Sequence, residues 1–174
     1  MVKLDMFGLL RTTILSLALA FGTGAVLAQD FQKGLAAYKA NDHATALKEL
    51  RPLAEQGDAD AQEMIGWIYE NGIGVLQDYL EAFKWYRLAA EQGNTVTQVR
   101  LGHMYRDGRV LDNAAKAAIR AHMWYNIAAV NHTDSKFTAD RRDYVAAKMT
   151  LDSILTAQSM ARECMSSNYK NCGW

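Results

Sequence analysis

Apolar residues recur at helical spacing along most of the chain from about residue 31 onward. In one early segment they fall at i, i+1, i+4, i+7 and i+8, which is one continuous face of an α-helix: Ala46, Leu47, Leu50, Leu53 and Ala54. Later segments of the same kind begin after a helix-capping residue such as Asp58 or Asp78 and end at a glycine such as Gly72. The pattern predicts an all-α protein made of short amphipathic helices.

One stretch of this pattern occurs twice, at residues 54–72 and 90–108, so the copies lie 36 residues apart. Both copies begin Ala-Glu-Gln-Gly. The other identical pairs are Gln62/Gln98, Gly66/Gly102, Tyr69/Tyr105 and Gly72/Gly108. A fixed period of this length is typical of stacked supersecondary units, none of which buries its apolar face alone. We therefore predict about four stacked antiparallel helix pairs, at about 31–57, 58–93, 94–130 and 135–167.

The residues on which the two copies agree are predicted to be structural. The glycines and tyrosines among them are Gly57, Gly66, Tyr69, Gly72, Gly93, Gly102, Tyr105 and Gly108. Gly57 is placed to end a helix in the left-handed conformation. Gly66 lies in mid-helix, where glycine costs about 1 kcal/mol relative to alanine. Its recurrence as Gly102 predicts that two helices approach there too closely for a β-carbon.

Residues 1–28 resemble a secretory signal, with the helical domain at residues 29–174. Lys3 and Arg11 precede an apolar run that is short for a membrane span, and Val26-Leu27-Ala28 offers a cleavage site. We predict cleavage after Ala28, a periplasmic or secreted protein, and no membrane insertion afterwards. The alternative is an uncleaved signal anchor.

The charge balance argues against a nucleic-acid partner. The chain has 19 basic and 19 acidic residues, and loss of residues 1–28 would leave 17 and 18. A body so close to neutral lacks the basic field that drives binding to a phosphate backbone.

Both cysteines lie near the C-terminus, at Cys164 and Cys172. In an exported chain an even number of cysteines favours a disulfide, which would close the tail at residues 164–174. A metal pair or a reactive thiol is the alternative, although two cysteines without a nearby histidine make a poor zinc site.

No residue cluster identifies a reaction. The histidines are His43, His103, His122 and His132, and none forms an i, i+3 or i, i+4 pair with another. Neither H-E-x-x-H nor G-x-S-x-G occurs. We predict no catalytic residue, no metal site and no cofactor, and we interpret His122 as a surface residue. The recurrent Trp85-Tyr86 and Trp124-Tyr125 pairs are interpreted as core.

The repeated stretch resembles the Sel1-like repeat, a subfamily of tetratricopeptide-type helical repeats. The resemblance rests on Ala-Ala-Glu-Gln-Gly-Asn at residues 89–94, Leu101-Gly102-x-Met104-Tyr105-x-x-Gly108, and the preceding Ala82-x-x-Trp85-Tyr86. It implies a right-handed α-α superhelix, or solenoid, whose concave surface holds other proteins or peptides. Members of the family act as adaptors, and the closing segment is similar to the tail of exported bacterial members.

Positions at which the copies differ are the candidates for partner recognition. Trp67 and Glu70 in the first copy, and Arg100, His103 and Arg106 in the second, lie on the first helix of each pair. In the family this helix lines the concave side. We expect some of these residues to contact a partner; the alternative is a solvated face with Trp67 tucked sideways.

The resemblance implies a non-catalytic adaptor or scaffold of the bacterial envelope that binds a protein or peptide. One alternative is a β-lactamase-type envelope enzyme, as proposed for cysteine-rich relatives with a cysteine pair in each repeat. This chain has no cysteine inside its repeats. The other alternative is a structural component that works in envelope assembly by multimerising.

Overall fold

The computed structural model describes residues 31–110, 112–131 and 135–173, and every regular element in those ranges is an α-helix. Residues 31–39 form α1. The later helices are α2 His43–Glu55, α3 Ala59–Asn71, α4 Tyr79–Ala90, α5 Thr95–Arg106, α6 Ala114–Asn131, α7 Ser135–Ala146 and α8 Leu151–Ser166. The all-α prediction is confirmed. The predicted signal sequence lies outside the described residues.

The helices begin where short polar side chains can accept hydrogen bonds from free backbone N–H groups. Asp58 accepts from Ala61 N–H at the start of α3. Asn94 does the same at the start of α5, where it accepts from Thr97 N–H. Equivalent caps are Asp42 for α2, Asp78 for α4 and Thr150 for α8. Each such cap typically stabilises a helix by about 1 kcal/mol, so the predicted starts are determined locally.

The chain divides into two compact units within α2, the first ending at Leu53 and the second starting at Ala54. In the first unit, Gly34 of α1 lies directly against the Leu50 side chain of α2. In the second unit, α3 packs on α4, α4 on α5, and α5 on α6. Helices α7 and α8 both pack extensively on α6. Helix α6 is therefore covered by α5, α7 and α8.

The mid-helix glycines of the two copies each accommodate a tyrosine ring. A β-carbon built on Gly66 would lie 2.6 Å from the ring of Tyr86, and one on Gly102 would lie 2.6 Å from the ring of Tyr125. Both tyrosines are fully buried. The expected close approach of two helices at these glycines is confirmed. The close neighbour in each case is an aromatic side chain of the partner helix.

A hydrogen-bonded ladder explains the repeated glutamines. Buried Gln62 donates from Nε2 to the carbonyl oxygen of Ala54 at 2.9 Å, and buried Gln98 donates to Ala90 at 3.4 Å. The Gln62 amide oxygen accepts from Gln92 Nε2 at 2.8 Å. The Gln98 oxygen accepts from Asn131 Nδ2 at 3.3 Å. Asn131 therefore takes the hydrogen-bonding role of Gln92 in a copy whose sequence has diverged there.

His122 corrects one sequence-based interpretation, because it is 2 % exposed and not a surface residue. Its helix, α6, is covered on several sides, so almost every residue from Ala121 to Ala128 is buried. Burial lowers the pKa of His122, and the Arg142 guanidinium lowers it further. The imidazole is therefore a neutral component of the core at pH 7. Trp124, two residues later, is fully buried as predicted.

The C-terminal tail is fastened at several points. A disulfide joins Cys164 and Cys172. Between them, Tyr169 Oη accepts a hydrogen bond from Asn131 Nδ2 at 2.8 Å, and its ring lies against Gly93. Arg120 of α6 donates to the carbonyl oxygen of Gly173 at 2.9 Å. The tail thus connects α8 to the end of α4 and to α6.

Candidate functional site

The first helices of the two copies are joined by a stacked pair of side chains. The Arg100 guanidinium carbon, on α5, lies 4.3 Å from the ring centre of Trp67, on α3. Both side chains are half-buried. A cation over an indole ring contributes about 0.5–1 kcal/mol at such a site. The sequence placed both residues among the partner-contact candidates, and the structure brings them together.

Glu70 requires a correction, since it was assigned to an exposed helical position and is only 6 % exposed. Tyr86 Oη donates to its Oε2 at 2.7 Å, and Arg109 Nη1 donates to its Oε1 at 2.6 Å. Arg100 Nη1 lies 3.7 Å from Oε2. A buried carboxylate is tolerated only when cations and hydrogen bonds compensate for its lost hydration. Glu70 therefore ties the two copies together and is covered by residues that follow it much later in the chain.

His103 occupies the centre of a cationic neighbourhood. Its ring centre is 5.7 Å from that of Tyr125, and its Nε2 is buried without a hydrogen-bond partner among the described residues. Burial, together with Arg106, Arg141 and Arg100, lowers the pKa of His103 to about 4. The imidazole is neutral at pH 7, so this histidine packs instead of supplying charge.

Arg106, the last residue of α5, is held by its neighbour in the chain. Its Nε and Nη2 donate to the two carboxylate oxygens of Asp107 at 2.6 and 3.0 Å. Asp107 also lies 3.9 Å from Arg109. Such a two-pronged contact fixes the guanidinium plane more strictly than a single hydrogen bond does.

A stripe on α7 was not among the residues selected from the sequence. It consists of Phe137, Arg141, Tyr144 and Lys148, spaced four, three and four residues apart, with Lys148 just beyond the end of the helix. Phe137 is 48 % exposed and Tyr144 is 57 % exposed. This spacing places side chains on one helical face, so the signal was present in the sequence. Comparison of the two copies does not reveal it, because α7 lies outside the duplicated stretch.

Two adjoining cavities separate this stripe from α5 and α6. One, of about 320 Å³, is lined among others by Tyr105, Arg106, Asp112, Tyr144 and Lys148. The other, of about 530 Å³, is lined by Arg106, Asp107, Phe137, Asp140, Arg141 and Tyr144. Because Arg106 and Tyr144 line both, the cavities are adjacent, and together they are hereafter called the α7 groove.

Two further features bear on the range of functions. In the described ranges, no helix is both long enough and apolar enough to cross a membrane. No group of three His, Cys, Asp or Glu side chains in the same residues is arranged to hold a metal ion.

A family model described as Sel1 repeat matches residues 59–94 and 96–129. The chain carries two Sel1 repeats. The first contains α3 and α4, and the second contains α5 and nearly all of α6. The resemblance deduced from the repeated glycines and tyrosines is therefore confirmed.

A solved structure supports the same fold. It is that of c5321, described as a protective antigen present in uropathogenic Escherichia coli strains that displays an SLR fold. The TM-score is 0.72 at 24% sequence identity over 82% of this chain. The chain spans 31% of that protein's length, and the likeness concerns fold alone. No curated protein matches the sequence significantly.

The Sel1 repeats account for part of the site only. Trp67 and Glu70 belong to the first repeat, and Arg100, His103 and Arg106 belong to the second. The α7 stripe lies beyond the last matched residue. One wall of the α7 groove is therefore Sel1 repeat, and the other is the helix that follows it. Sel1 repeats are typically non-catalytic scaffolds for protein interaction.

Proposed function

We propose that this protein is a non-catalytic adaptor or scaffold that holds a protein or peptide on the concave face of its helical array, at α3 and α5. Stacked helix pairs present a continuous face built from equivalent helices, and solenoid proteins use such faces for binding. The observation that carries the proposal is the Trp67–Arg100 stack, which spans both Sel1 repeats. Tryptophan and arginine are the side chains most enriched at the energetic centres of interfaces.

We place the scaffold in the bacterial envelope or outside the cell. Residues 1–28 have the composition of a cleavable signal. The Cys164–Cys172 disulfide is consistent with an oxidising, extracytoplasmic compartment. These two features concern opposite ends of the chain and support the same location.

The experiment is affinity capture from the envelope extract of the producing organism with the exported chain as bait. Paired substitution of Trp67→Ala and Arg100→Gln removes the stack, while Arg162→Ala removes an exposed cation of α8 as a control. We expect the first variant to lose its captured partner and the control to retain it, with both variants folded by circular dichroism. Unchanged capture by the paired variant would rule out this face.

Absence of catalysis is tested separately. We expect the purified protein to hydrolyse a chromogenic cephalosporin no faster than buffer does. Turnover above that background which follows the protein through purification would favour the enzymatic alternative.

A further inference from the structure

Helix α7 and the turn that follows it carry two cations that contact aromatic side chains and form no ion pair with the described residues. The Arg141 guanidinium carbon lies 4.0 Å from the centre of Phe137. Lys148 Nζ donates a hydrogen bond to Tyr144 Oη at 2.7 Å and lies 4.1 Å from the centre of that ring. Neither cation forms an ion pair within the described residues. A guanidinium that stacks on a ring keeps its N–H donors in its own plane. The Nε of Arg141 is buried, so it is the terminal N–H groups that remain available to an acceptor entering the groove.

The carboxylates of the α7 groove are mostly committed to other partners. Asp107 accepts both hydrogen bonds from Arg106, and Asp112 accepts from Arg120 at 2.9 Å. Asp140 is exposed and forms no ion pair within the described residues. The lining has three cations and three carboxylates, but Arg106 pairs with Asp107 and Arg120, outside the lining, pairs with Asp112. Arg141 and Lys148 then exceed Asp140 by one positive charge.

The neighbourhood of His103 supports the same sign of potential. Burial lowers the pKa of this imidazole most; Arg106, Arg141 and Arg100 lower it further, and Asp107 opposes them. Three guanidinium groups create a positive electrostatic potential at the half-buried His103 ring. Because two of them, Arg106 and Arg141, also line the groove, this potential extends into it.

The groove also offers apolar surface. The exposed rings of Phe137 and Tyr144 lie one above the other along α7, and Ala114, Ala117 and Ala118 line the narrower cavity. Cavities of about 320 and 530 Å³ are in the range that receives a few side chains or a small ligand. A bare anion would leave the rings uncovered, and the nearly neutral chain does not favour a polyanionic nucleic acid.

We propose that the α7 groove binds an acidic segment of a partner protein. Carboxylates of that segment pair with Arg141 and Lys148, and an apolar or aromatic side chain beside them packs on Phe137 and Tyr144. The proposal rests on the scaffold function stated above, and it adds the chemistry of the partner and a second contact region at the end of the repeats.

The test is fluorescence anisotropy of the full exported chain with labelled peptides of defined chemistry. The probe repeats the unit Glu-Tyr-Glu-Leu, and its matched control repeats Gln-Tyr-Gln-Leu. We expect saturable binding of the acidic probe and about tenfold weaker binding of the amide control, because the carboxylates supply the pairing. Raising salt from about 0.05 M to about 0.3 M shortens the screening length and should weaken the acidic probe further.

Two variants locate the binding on the protein. Arg141→Gln and, separately, Lys148→Gln should each weaken the acidic probe about fivefold, which is the scale of a partly exposed ion pair. Lys136→Gln removes the same charge from the same helix at an exposed position outside both cavities, and it should leave binding unchanged. Lys148 lies beyond the end of α7 and is exposed, so its replacement leaves the fold intact even if that of Arg141 does not.

Several results would overturn the proposal. One is equal affinity for the acidic and amide probes, and another is an equal loss of affinity in Lys136→Gln and in the groove variants. A third is binding only to a lysine-containing peptide or to anionic phosphatidylglycerol vesicles. No saturable binding up to about 1 mM would also reject it. If envelope capture still depends on Trp67 and Arg100 in that case, the scaffold function stands and only the acidic-partner inference fails.

Discussion

Glu70 is expected to be one of the most stabilising polar residues of the second unit, and replacing it with glutamine tests this. The carboxylate is 6 % exposed and accepts from Tyr86 at 2.7 Å and from Arg109 at 2.6 Å. Glutamine keeps the shape and one acceptor oxygen but removes the charge. Arg109 and Arg100 then face a neutral amide in a largely buried position.

The size of the expected stability loss depends on how exposed the arginine partners of Glu70 are. Removing one member of a fully buried ion pair costs about 3–5 kcal/mol. The Arg109 and Arg100 side chains are 34 % and 32 % exposed, so both can recover part of their hydration. After that discount we expect a loss of about 2 kcal/mol in the free energy of unfolding. For a chain of this length the loss corresponds to a fall of about 4–8 °C in Tm.

The assay is urea-induced unfolding followed by circular dichroism, with Glu55→Gln as the control. Glu55 is exposed at the end of α2, so the same chemical change there should alter stability by less than about 0.5 kcal/mol. A cycle that combines Glu70→Gln with Tyr86→Phe isolates the hydrogen bond between the two side chains, for which we expect a coupling of about 1 kcal/mol or more. If Glu70→Gln and Glu55→Gln have the same effect, the carboxylate does not connect the repeats as described.

Three other predictions use the same kind of measurement. Gly66→Ala places a β-carbon 2.6 Å from the Tyr86 ring and should cost about 2 kcal/mol or more; a cost below that of an ordinary exposed substitution would contradict the packing. Reducing the Cys164–Cys172 bridge should cost about 2.6 kcal/mol in the chain-entropy treatment of its short loop; an unchanged Tm with reductant would show that the bridge adds nothing. His103 has a folded pKa of about 4, below its value of 6.5 in an unfolded chain. Its neutral imidazole therefore contributes its full share of the unfolding free energy above pH 6.5, and that share is lost as the pH falls toward 4. The His103→Gln variant should therefore lose less stability than the natural chain between pH 7.5 and pH 4.5, and an imidazole NMR titration near 6.5 would contradict the assignment.

The local features of the fold could be predicted because each depends on a few neighbouring residues. Asp58, Asn94 and Thr150 cap their helices through hydrogen bonds that span three residues. The repeated Gly66 and Gly102 indicated close packing before the ring that fills each space was known. Within a repeat, the period of 36 residues carries enough information to assign the helices and most of the core.

The candidate site was predictable only in part. Trp67 and Arg100 were selected because the two copies differ there, and the structure stacks one on the other. Glu70 was selected for the same reason, but its difference from Arg106 reflects a buried network and not exposure. The α7 stripe has no counterpart in the repeat, so comparing the copies could not reveal it.

The sequence by itself determined that this protein is a stack of short helices, where those helices begin, and which glycines and tyrosines recur in register. Those properties arise from local hydrogen bonds, side-chain periodicity and the steric freedom of glycine. Only the tertiary structure decided that Glu70 and His122 are buried and that the α7 groove exists. Burial of Glu70 depends on Arg109, which lies 39 residues away, and burial of His122 depends on several helices that cover α6. Contacts between residues so far apart in the chain are set by how the helices pack, which no single segment encodes.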